Sequence, residues 1–450
     1  MIKDKLKTLK QKACPPKLRK RLWRARVVDV NMGYGHQRTA YPLKDLAPYG
    51  KVISANDYQG ISKKDQKIWE NSRKFYEFIS NFKRIPLIGE IAFSLFDKFQ
   101  EILTFYPKRD LSKPNFYLKQ TFSLIKKGWG RDLIEKLKMK NEKLKRNLPL
   151  ITTFFVPAFM AEVFNYPGDI FCVVCDADIA RSWASLNPSQ SKIKYLVPNS
   201  RVVERLMLYG VKKENIFLTG YPLPQENTKK ASKDLGYRLL NLDPKKKYRQ
   251  NYKPLIKGFL GDLPRKPNHP LTITFAVGGA GVQKEIGVKI LKSLSLKIKT
   301  KKIKIILVAG IRKKVKDYFL KHIKHLGLKK NLGKNIKIIW EKNIENYFKK
   351  FNQALRKTDI LWTKPSELSF YTALGLPIII APPIGSQEDF NKQWLLRLGS
   401  AIPQENPDYT AQWLFDFLES GWFAEAAMQG FIEGEKLAIY KIEKIISKKT

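Results

Sequence analysis

Residues 359–391 read DILWTKPSELSFYTALGLPIIIAPPIGSQEDFN, and this stretch decides the fold. A short apolar run ends at Thr363, a polar turn and a helix-like segment follow, and a second apolar run begins after Gly375 and Pro377. That order predicts strand, loop, helix and strand, the repeating unit of a parallel sheet. Because ligands bind at the carboxyl ends of parallel strands, the polar loop predicts an anion-binding site at the start of the helix.

The same alternation extends outward from this stretch in two halves of the chain. In each half the first strand, residues 26–30 or residues 271–277, runs into a glycine-rich loop. We therefore predict an α/β protein with two Rossmann-like domains. The predicted parts are a basic N-terminal extension (1–26), a first domain (27–225) with a helical aromatic and basic segment (66–147), a linker or insert (226–270), a second domain (271–400) and C-terminal helices (401–450).

The charge of the chain predicts an anionic partner. Lys and Arg together number 85 against 40 Asp and Glu, a net charge of +45 over 450 residues. Three classes of partner remain open. They are nucleic acid, an anionic membrane surface, and phosphate ligands bound by a chain with a compositional excess of lysine. Because no nucleic-acid-binding module is recognisable, we expect no nucleic-acid partner and rank an anionic membrane surface above it.

The cysteines and the apolar runs predict a cytoplasmic location. The chain has three cysteines with no spacing typical of a disulfide framework, which favours a reducing compartment. Cys172 and Cys175 lie within an apolar strand, so we expect them to pack in the core, and we predict no metal site. No signal peptide is recognisable, and no run approaches the about 18 apolar residues of a membrane span.

Two features of the first half are candidates for chemistry. His36 follows Gly33, Tyr34 and Gly35 at a predicted helix entrance, and its ordinary pKa near neutrality suits a general base. A purely structural, hydrogen-bonded histidine is the alternative. Asp176, with Asp178, follows the strand over residues 170–175, where carboxylates commonly meet substrate. Helix capping is the alternative for these two residues.

The aromatic and basic segment and the second glycine loop complete the candidates. Aromatic side chains between Trp69 and Tyr106 alternate with basic ones, which suits docking onto a bilayer or a lipid acceptor. A helical core is the alternative, because aromatics at helical spacing usually face inward. Gly278, Gly279 and Gly281 let a backbone approach a diphosphate, although close packing alone could also require them.

Several motifs, taken in order, resemble a known family. They are Met32-Gly33-Tyr34-Gly35-His36, Thr219-Gly220-Tyr221-Pro222, Gly278-Gly279-Ala280-Gly281, Thr363-Lys364-Pro365-Ser366, Gly375-Leu376-Pro377 and Gly385-Ser386-Gln387-Glu388. The chain resembles the glycosyltransferases of B architecture that include galactolipid synthases, diacylglycerol glucosyltransferases and the lipid-II N-acetylglucosaminyltransferase. The resemblance implies two domains facing a central cleft and an inverting, metal-independent and cofactor-free transfer. It implies a nucleotide-sugar donor, usually a UDP-sugar, and a lipid-linked acceptor on the inner face of the cell membrane.

The resemblance also implies roles for individual residues. His36 matches the family's loop histidine, a base or an acceptor-positioning group, and the three glycines match the loop under the donor diphosphate. Lys364 and Ser366 match the donor loop, and Gln387 and Glu388 match a polar pair that contacts the donor sugar.

One departure from the family concerns the nucleotide ribose. The family often carries a ribose-binding glutamate where this chain has Phe370, Tyr371 and Thr372. Glu367 is the candidate to substitute for it, and the alternative is that Glu367 is only a first-turn acidic residue favoured by the helix dipole. A silent nucleotide-sugar or lipid-binding module and a nucleotide-sugar epimerase are the alternative functions.

Overall fold

The computed structural model describes residues 24–82, 102–278 and 281–447. These residues form two compact units. The first unit contains the described residues up to Pro222, the segment Ile384–Asn391 and the residues from Ala438 onward, and the second contains Leu223–Pro383 and Lys392–Leu437. Nearly all of the predicted basic extension, residues 83–101 of the aromatic segment, and Gly279 lie outside the described residues.

The first unit is built on a parallel six-stranded sheet with the strand order β2-β1-β3-β4-β5-β6. Its strands are β1 (Arg26–Asp29), β2 (Ile53–Ser54), β3 (Leu150–Thr152), β4 (Ile170–Val173), β5 (Ile193–Val197) and β6 (Ile216–Leu218). Strands β1, β3 and β4 are buried along their whole length, as is typical of parallel strands covered by helices on both faces of the sheet.

Helices cover the sheet of the first unit. They are α1 (Tyr34–Ala40), α2 (Lys63–Phe82), α3 (Phe116–Lys126), α4 (Arg131–Lys143), α5 (Phe155–Val163) and α6 (Ser200–Leu208). β3 ends at Thr152, and α5 begins at Phe155.

The second unit has a parallel six-stranded sheet of its own, with the order β12-β11-β10-β7-β8-β9. Its strands are β7 (Leu271–Ala276), β8 (Ile303–Gly310), β9 (Ile336–Trp340), β10 (Ile360–Thr363), β11 (Ile378–Ile380) and β12 (Ala401–Pro403). β10 lies between β7 and β11, with Thr363 opposite both Ala276 and Ile380. Residues 359–391 therefore supply two neighbouring strands in the interior of this sheet.

The remaining helices follow in chain order. They are α7 (Gln225–Thr228), α8 (Ala231–Leu242), α9 (Lys247–Asn251), α10 (Lys253–Leu260), α11 (Lys284–Ser293), α12 (Ser295–Lys299), α13 (Lys313–His325), α14 (Ile344–Leu355), α15 (Ser386–Leu398), α16 (Thr410–Ser420), α17 (Trp422–Glu433) and α18 (Ala438–Ser447). The helix predicted after Ser366 is a 3-10 helix, Glu367–Leu374, and all of its residues are buried. The tighter 3-10 geometry is typical of short connecting pieces.

Two packing features tie distant segments into each unit. In the first unit, Ile439 and Ile442 of α18 pack in one apolar cluster with Val27 of β1. In the second, the fully buried Arg238 of α8 donates hydrogen bonds to the carbonyl oxygens of Thr358 at 2.7 Å, Leu374 at 2.9 Å and Gly375 at 2.8 Å. Residues 226–270, interpreted as a linker or insert, thus include a helix that is part of the second unit's core. The prediction of an α/β protein with two Rossmann-like domains is confirmed.

Candidate functional site

His36 lies in the first turn of α1, directly after the first strand of the first sheet. The helix begins at Tyr34, and Gly33 before it has a φ of 113°, a conformation that residues with a side chain rarely adopt. A Cβ built on Gly33 would meet no atom within 4 Å. The glycine is therefore required by backbone conformation and not by close packing, and space lies open beside the loop.

The hydrogen bonds of His36 fix its tautomer. Its Nδ1 lies 2.7 Å from the carbonyl oxygen of Thr153, the residue after β3. A carbonyl oxygen only accepts, so Nδ1 carries the proton and Nε2 holds the lone pair of the neutral ring. The hydroxyl of Thr153 donates back to the carbonyl oxygen of His36 at 3.0 Å. Because β1 and β3 are neighbours, their loops meet and set this ring in the protonation state that a general base needs.

Aromatic rings and a thiol surround the imidazole. The centroid of the Phe154 ring lies 4.7 Å from that of His36, and that of Trp183 lies 6.4 Å away. The sulfur of Cys175 lies 3.6 Å from Nδ1 of His36. Cys172 and Cys175 are both buried, as predicted, and burial raises the pKa of the Cys172 thiol. The position of Cys175 beside the imidazole was not predicted, because the spacing of the two cysteines carries no information about it.

Asp176 belongs to the same cluster, and Asp178 does not. One carboxylate oxygen of Asp176 lies 3.9 Å from the sulfur of Cys175, and the other accepts a hydrogen bond from the amide of Asn391 at 3.1 Å. The Asn391 side chain, which is fully buried, also accepts from the backbone N–H of Ala177 at 2.7 Å. Asp178 instead pairs with the buried Arg205 through two 2.8 Å hydrogen bonds and so has a structural role.

Residues near His36 in the structure hold α1 in place. The hydroxyl of Thr39 donates to the carbonyl oxygen of Gly35 at 2.8 Å, and its oxygen accepts from the hydroxyl of Tyr221 at 3.0 Å. Tyr34 is buried at the start of the helix. Two of the motifs that carried the resemblance, the loop before His36 and the Thr-Gly-Tyr-Pro segment, are therefore linked by one threonine.

In the second unit the structure brings Gly278 and Lys364 together. They follow β7 and β10, which are adjacent strands. A Cβ on Gly278 would lie 2.7 Å from Cε of Lys364, closer than non-bonded carbons approach. The missing side chain of Gly278 thus makes room for the lysine stem across the glycine loop.

Gly281 closes the glycine loop before α11. Its N–H donates to the carbonyl oxygen of Gly278 at 2.8 Å, and its φ of 73° is in the left-handed region that favours glycine. Gln283 at the entrance of α11 donates from its side chain to the carbonyl oxygen of Pro382 at 2.7 Å. The loop therefore delivers the amino end of a ten-residue helix, where backbone N–H groups favour anions.

Ser366 and Glu367 start the 3-10 helix after β10. The N–H of Ser366 donates to the carbonyl oxygen of Lys364 at 2.9 Å, and Glu367 is 8% exposed. Phe370, Tyr371 and Thr372 are buried along this helix, which leaves Glu367 as the carboxylate at its start.

Gln387 and Glu388 lie in Ile384–Asn391, which groups with the first unit. A carboxylate oxygen of Glu388 accepts the backbone N–H of Ile384 at 2.8 Å. That bond caps the entry to α15, as acidic residues in a first helical turn commonly do. Contact of this pair with the donor sugar stays a prediction.

Within the described residues, no group of three or more His, Cys, Asp or Glu side chains is arranged to hold a metal ion. The two clusters in which the candidate residues meet are therefore His36 with Asp176 in the first unit and Gly278 with Lys364 in the second.

Known proteins resemble this chain at the level of sequence. Residues 264–441 match a family described as a domain of unknown function (DUF6938). The processive diacylglycerol beta-glucosyltransferase of Bacillus licheniformis is 22% identical over 387 residues, covering 84% of this chain and 82% of that protein. The protein of the same description from Bacillus pumilus is 23% identical over 389 residues, with the same coverage of 84% and 82%. The chain is a divergent relative of these glycosyltransferases. This relationship confirms the predicted enzyme class.

Two solved structures also match this chain, at low identity. MurG of Acinetobacter baumannii matches with a TM-score of 0.46 at 12% identity, covering 95% of this chain and all of that chain (100%). The UDP-GlcNAc 2-epimerase of Neisseria meningitidis, bound to UDP-GlcNAc, matches with a TM-score of 0.44 at 13% identity, covering 75% of this chain and 84% of that chain.

Proposed function

We propose that this protein transfers a sugar from a UDP-sugar to a hydroxyl group of a membrane lipid, with inversion at the anomeric carbon. The observation that carries the proposal is the 2.7 Å contact between Nδ1 of His36 and the carbonyl oxygen of Thr153, from which we infer a proton on Nδ1 and the lone pair on Nε2. The diacylglycerol glucosyltransferases to which the chain is related support a sugar transfer and a lipid acceptor. We propose that the reaction needs neither a metal ion nor a cofactor.

The acceptor step uses His36 as the base. Nε2 takes the proton of the acceptor hydroxyl while its oxygen forms a bond to the anomeric carbon and the bond to the diphosphate breaks. The positive charge that develops on the ring is stabilised through the hydrogen bond from Nδ1 to the Thr153 carbonyl. The carboxylate of Asp176, held by Asn391, adds a negative charge in the same cluster. The products are the glycolipid and UDP.

The donor step needs positive charge at the leaving diphosphate. The ammonium group of Lys364 and the N–H groups at the amino end of α11 supply it from the two sides of the glycine loop. We assign the ribose to Glu367, the diphosphate to Gly278, Gly281 and Ser366, and the donor sugar hydroxyls to Gln387 and Glu388. Gly279 belongs to the same loop and lies outside the described residues.

We propose that the enzyme works as a peripheral protein on the cytoplasmic face of the membrane. Among the described residues, no helix is long and apolar enough to span a bilayer. In the first unit, the side chains of Tyr106 and Phe116 are 67% and 61% exposed, and Lys108 lies close to Tyr106 in the chain. Exposed aromatic rings with basic neighbours are typical of surfaces that enter the headgroup region of a bilayer. Trp69 and Phe105 are buried instead, so only part of the predicted aromatic surface is available.

Transfer is measured with labelled UDP-sugars and diacylglycerol in detergent micelles. The variant His36→Ala should lose about 10²- to 10⁴-fold in turnover, the value of a positioned general base, while still binding UDP. The control is His325→Ala on α13, which removes an exposed histidine in the other unit. Turnover of His36→Ala within a few-fold of the parent would remove His36 from the base role. A free epimerised sugar formed without acceptor would instead favour an epimerase, and UDP-sugar binding with no turnover of any substrate would favour a silent module.

A further inference from the structure

A cavity of about 500 Å³ lies in the first unit, and none of the residues of the His36 cluster lines it. It is formed where the edge strand β2 and the loop after it face the helix α4. None of the residues that line it was assigned to the acceptor or donor site. Its volume is within the range of about 300–1,000 Å³ that small-molecule sites occupy.

The cavity is lined by four lysines, which are Lys51, Lys136, Lys140 and Lys143. Lys136 has partners: it pairs with Asp132 at 3.2 Å and donates to the carbonyl oxygen of Gly60 at 2.7 Å. For the other three, the described part of the chain offers no ion pair. Three lysines that form no ion pair among the described residues thus line one concave surface, which also contains the carboxylate of Asp57.

The electrostatics of Lys140 fit an anion site. Partial burial lowers the pKa of Lys140, and the nearby positive charges of Lys51, Arg26 and Lys136 lower it further. Arg26 is held in place by Asn141 at 2.9 Å and by the carbonyl oxygen of Lys140 at 2.6 Å. When an anion binds among like positive charges, it lowers the repulsion between them.

The rest of the lining combines polar and apolar groups. Asp57, Gln59 and Ser54 present acceptors and donors that suit hydroxyl groups, and they come from the end of β2 and the loop after it. The base of the cavity is apolar, since Leu133 and Leu137 of α4 are 2% and 1% exposed. Inorganic phosphate would contact the lysines but would not use Asp57, Gln59 and Ser54, which suit the hydroxyl groups of a larger ligand.

We propose that this cavity binds a phosphorylated polyol. The phosphate lies among Lys51, Lys140 and Lys143, and the hydroxyl groups of the polyol lie against Asp57 and Gln59. The compound is either a small soluble phosphate ester, such as glycerol 3-phosphate, or the headgroup of a phospholipid that carries the same chemistry. The site is distinct from the sugar-transfer chemistry, so its test uses binding and not activity.

The full-length protein is titrated by calorimetry with glycerol 3-phosphate, glycerol and inorganic phosphate at physiological ionic strength, where long-range charge effects are screened. Phosphatidylcholine vesicles with and without phosphatidylglycerol form the second arm. The test variant is Lys51→Gln with Lys140→Gln. The control is Lys119→Gln with Lys138→Gln, which removes the same two charges from the first unit but lines no part of the cavity. All variants are checked for the parent's thermal transition.

The test variant should lose at least about tenfold in affinity, because each lysine removed deletes a charge-assisted hydrogen bond to the phosphate. The control should bind like the parent. Loss of glycerol 3-phosphate binding supports a soluble ester, and loss confined to phosphatidylglycerol vesicles supports a lipid headgroup. Equal losses of affinity in the test and control variants would overturn the proposal. It would also be overturned if the parent bound neither glycerol 3-phosphate nor phosphatidylglycerol vesicles.

Discussion

Asp29 offers a quantitative test of the first unit. It is the last residue of β1, next to the loop that carries His36, and its side chain is buried. One carboxylate oxygen has no hydrogen-bond partner among the described residues. The pKa of Asp29 is raised from 3.8 to about 6, and burial is the main cause. The hydrogen bond from Ser54 acts against this rise, and the charge of Asp57 adds to it. Ionisation of Asp29 therefore destabilises the folded state.

The magnitude follows from this pKa difference. A change from 3.8 to about 6 corresponds to ~3 kcal/mol of free energy of unfolding, at about 1.4 kcal/mol for each pH unit. Because the pKa of Asp29 is higher in the folded state, its contribution is fully present below pH ~4 and is lost as the pH rises through ~6. The variant Asp29→Asn cannot ionise. It should be more stable than the parent at pH 7 by up to ~3 kcal/mol, and this advantage should vanish near pH 4.

Hydrogen exchange measured by mass spectrometry gives the local readout. Because a chain with two units need not unfold in one step, the peptides that cover β1 and β3 report on the first sheet specifically. Protection of these peptides should fall between pH 4 and pH 7 in the parent, after correction for intrinsic exchange, and should stay nearly level in Asp29→Asn. The control Asp45→Asn changes an exposed carboxylate of the same unit and should follow the parent. An unchanged pH profile in Asp29→Asn would refute the reasoning.

Two further predictions concern the second unit. Lys364→Met keeps most of the side-chain length beside Gly278 but removes the charge. The affinity for UDP, measured by calorimetry, should therefore fall by about tenfold. The control Lys357→Met should bind UDP like the parent. Arg238→Met leaves several buried carbonyl oxygens without donors, so the second unit should lose about 3–5 kcal/mol in urea unfolding, and a loss below about 1 kcal/mol would contradict this role.

The apolar pattern was sufficient to predict most of the fold. The run over residues 271–277 became β7, and the glycines after it marked the turn into α11, because a buried parallel strand and a tight turn both leave strong local signals. β2 has only two residues, Ile53–Ser54, and no local pattern distinguishes so short a strand. The basic cavity depends on β2 facing α4, so it was not predicted either.

The candidate sites were predicted only to the extent that their residues are close in the sequence. That Lys364 reaches Gly278 requires β10 to lie beside β7, and strand order is set by packing over the whole sheet. Asn391 ends the stretch that decided the fold, yet its bonds to Asp176 and Ala177 cross more than two hundred positions of sequence. Such contacts leave no signal in a single sequence.

The protonation state of His36 shows why side-chain identity alone was not sufficient. The group that sets it is the backbone carbonyl of Thr153, which every residue type possesses, so no sequence pattern can mark it. The position of that carbonyl follows from β3 ending at Thr152, immediately beside β1. The return bond from the Thr153 hydroxyl to the His36 carbonyl ties the two loops from the other side. The return bond therefore depends on a threonine side chain at position 153. The contact of the Thr153 carbonyl with His36 depends on strand order instead.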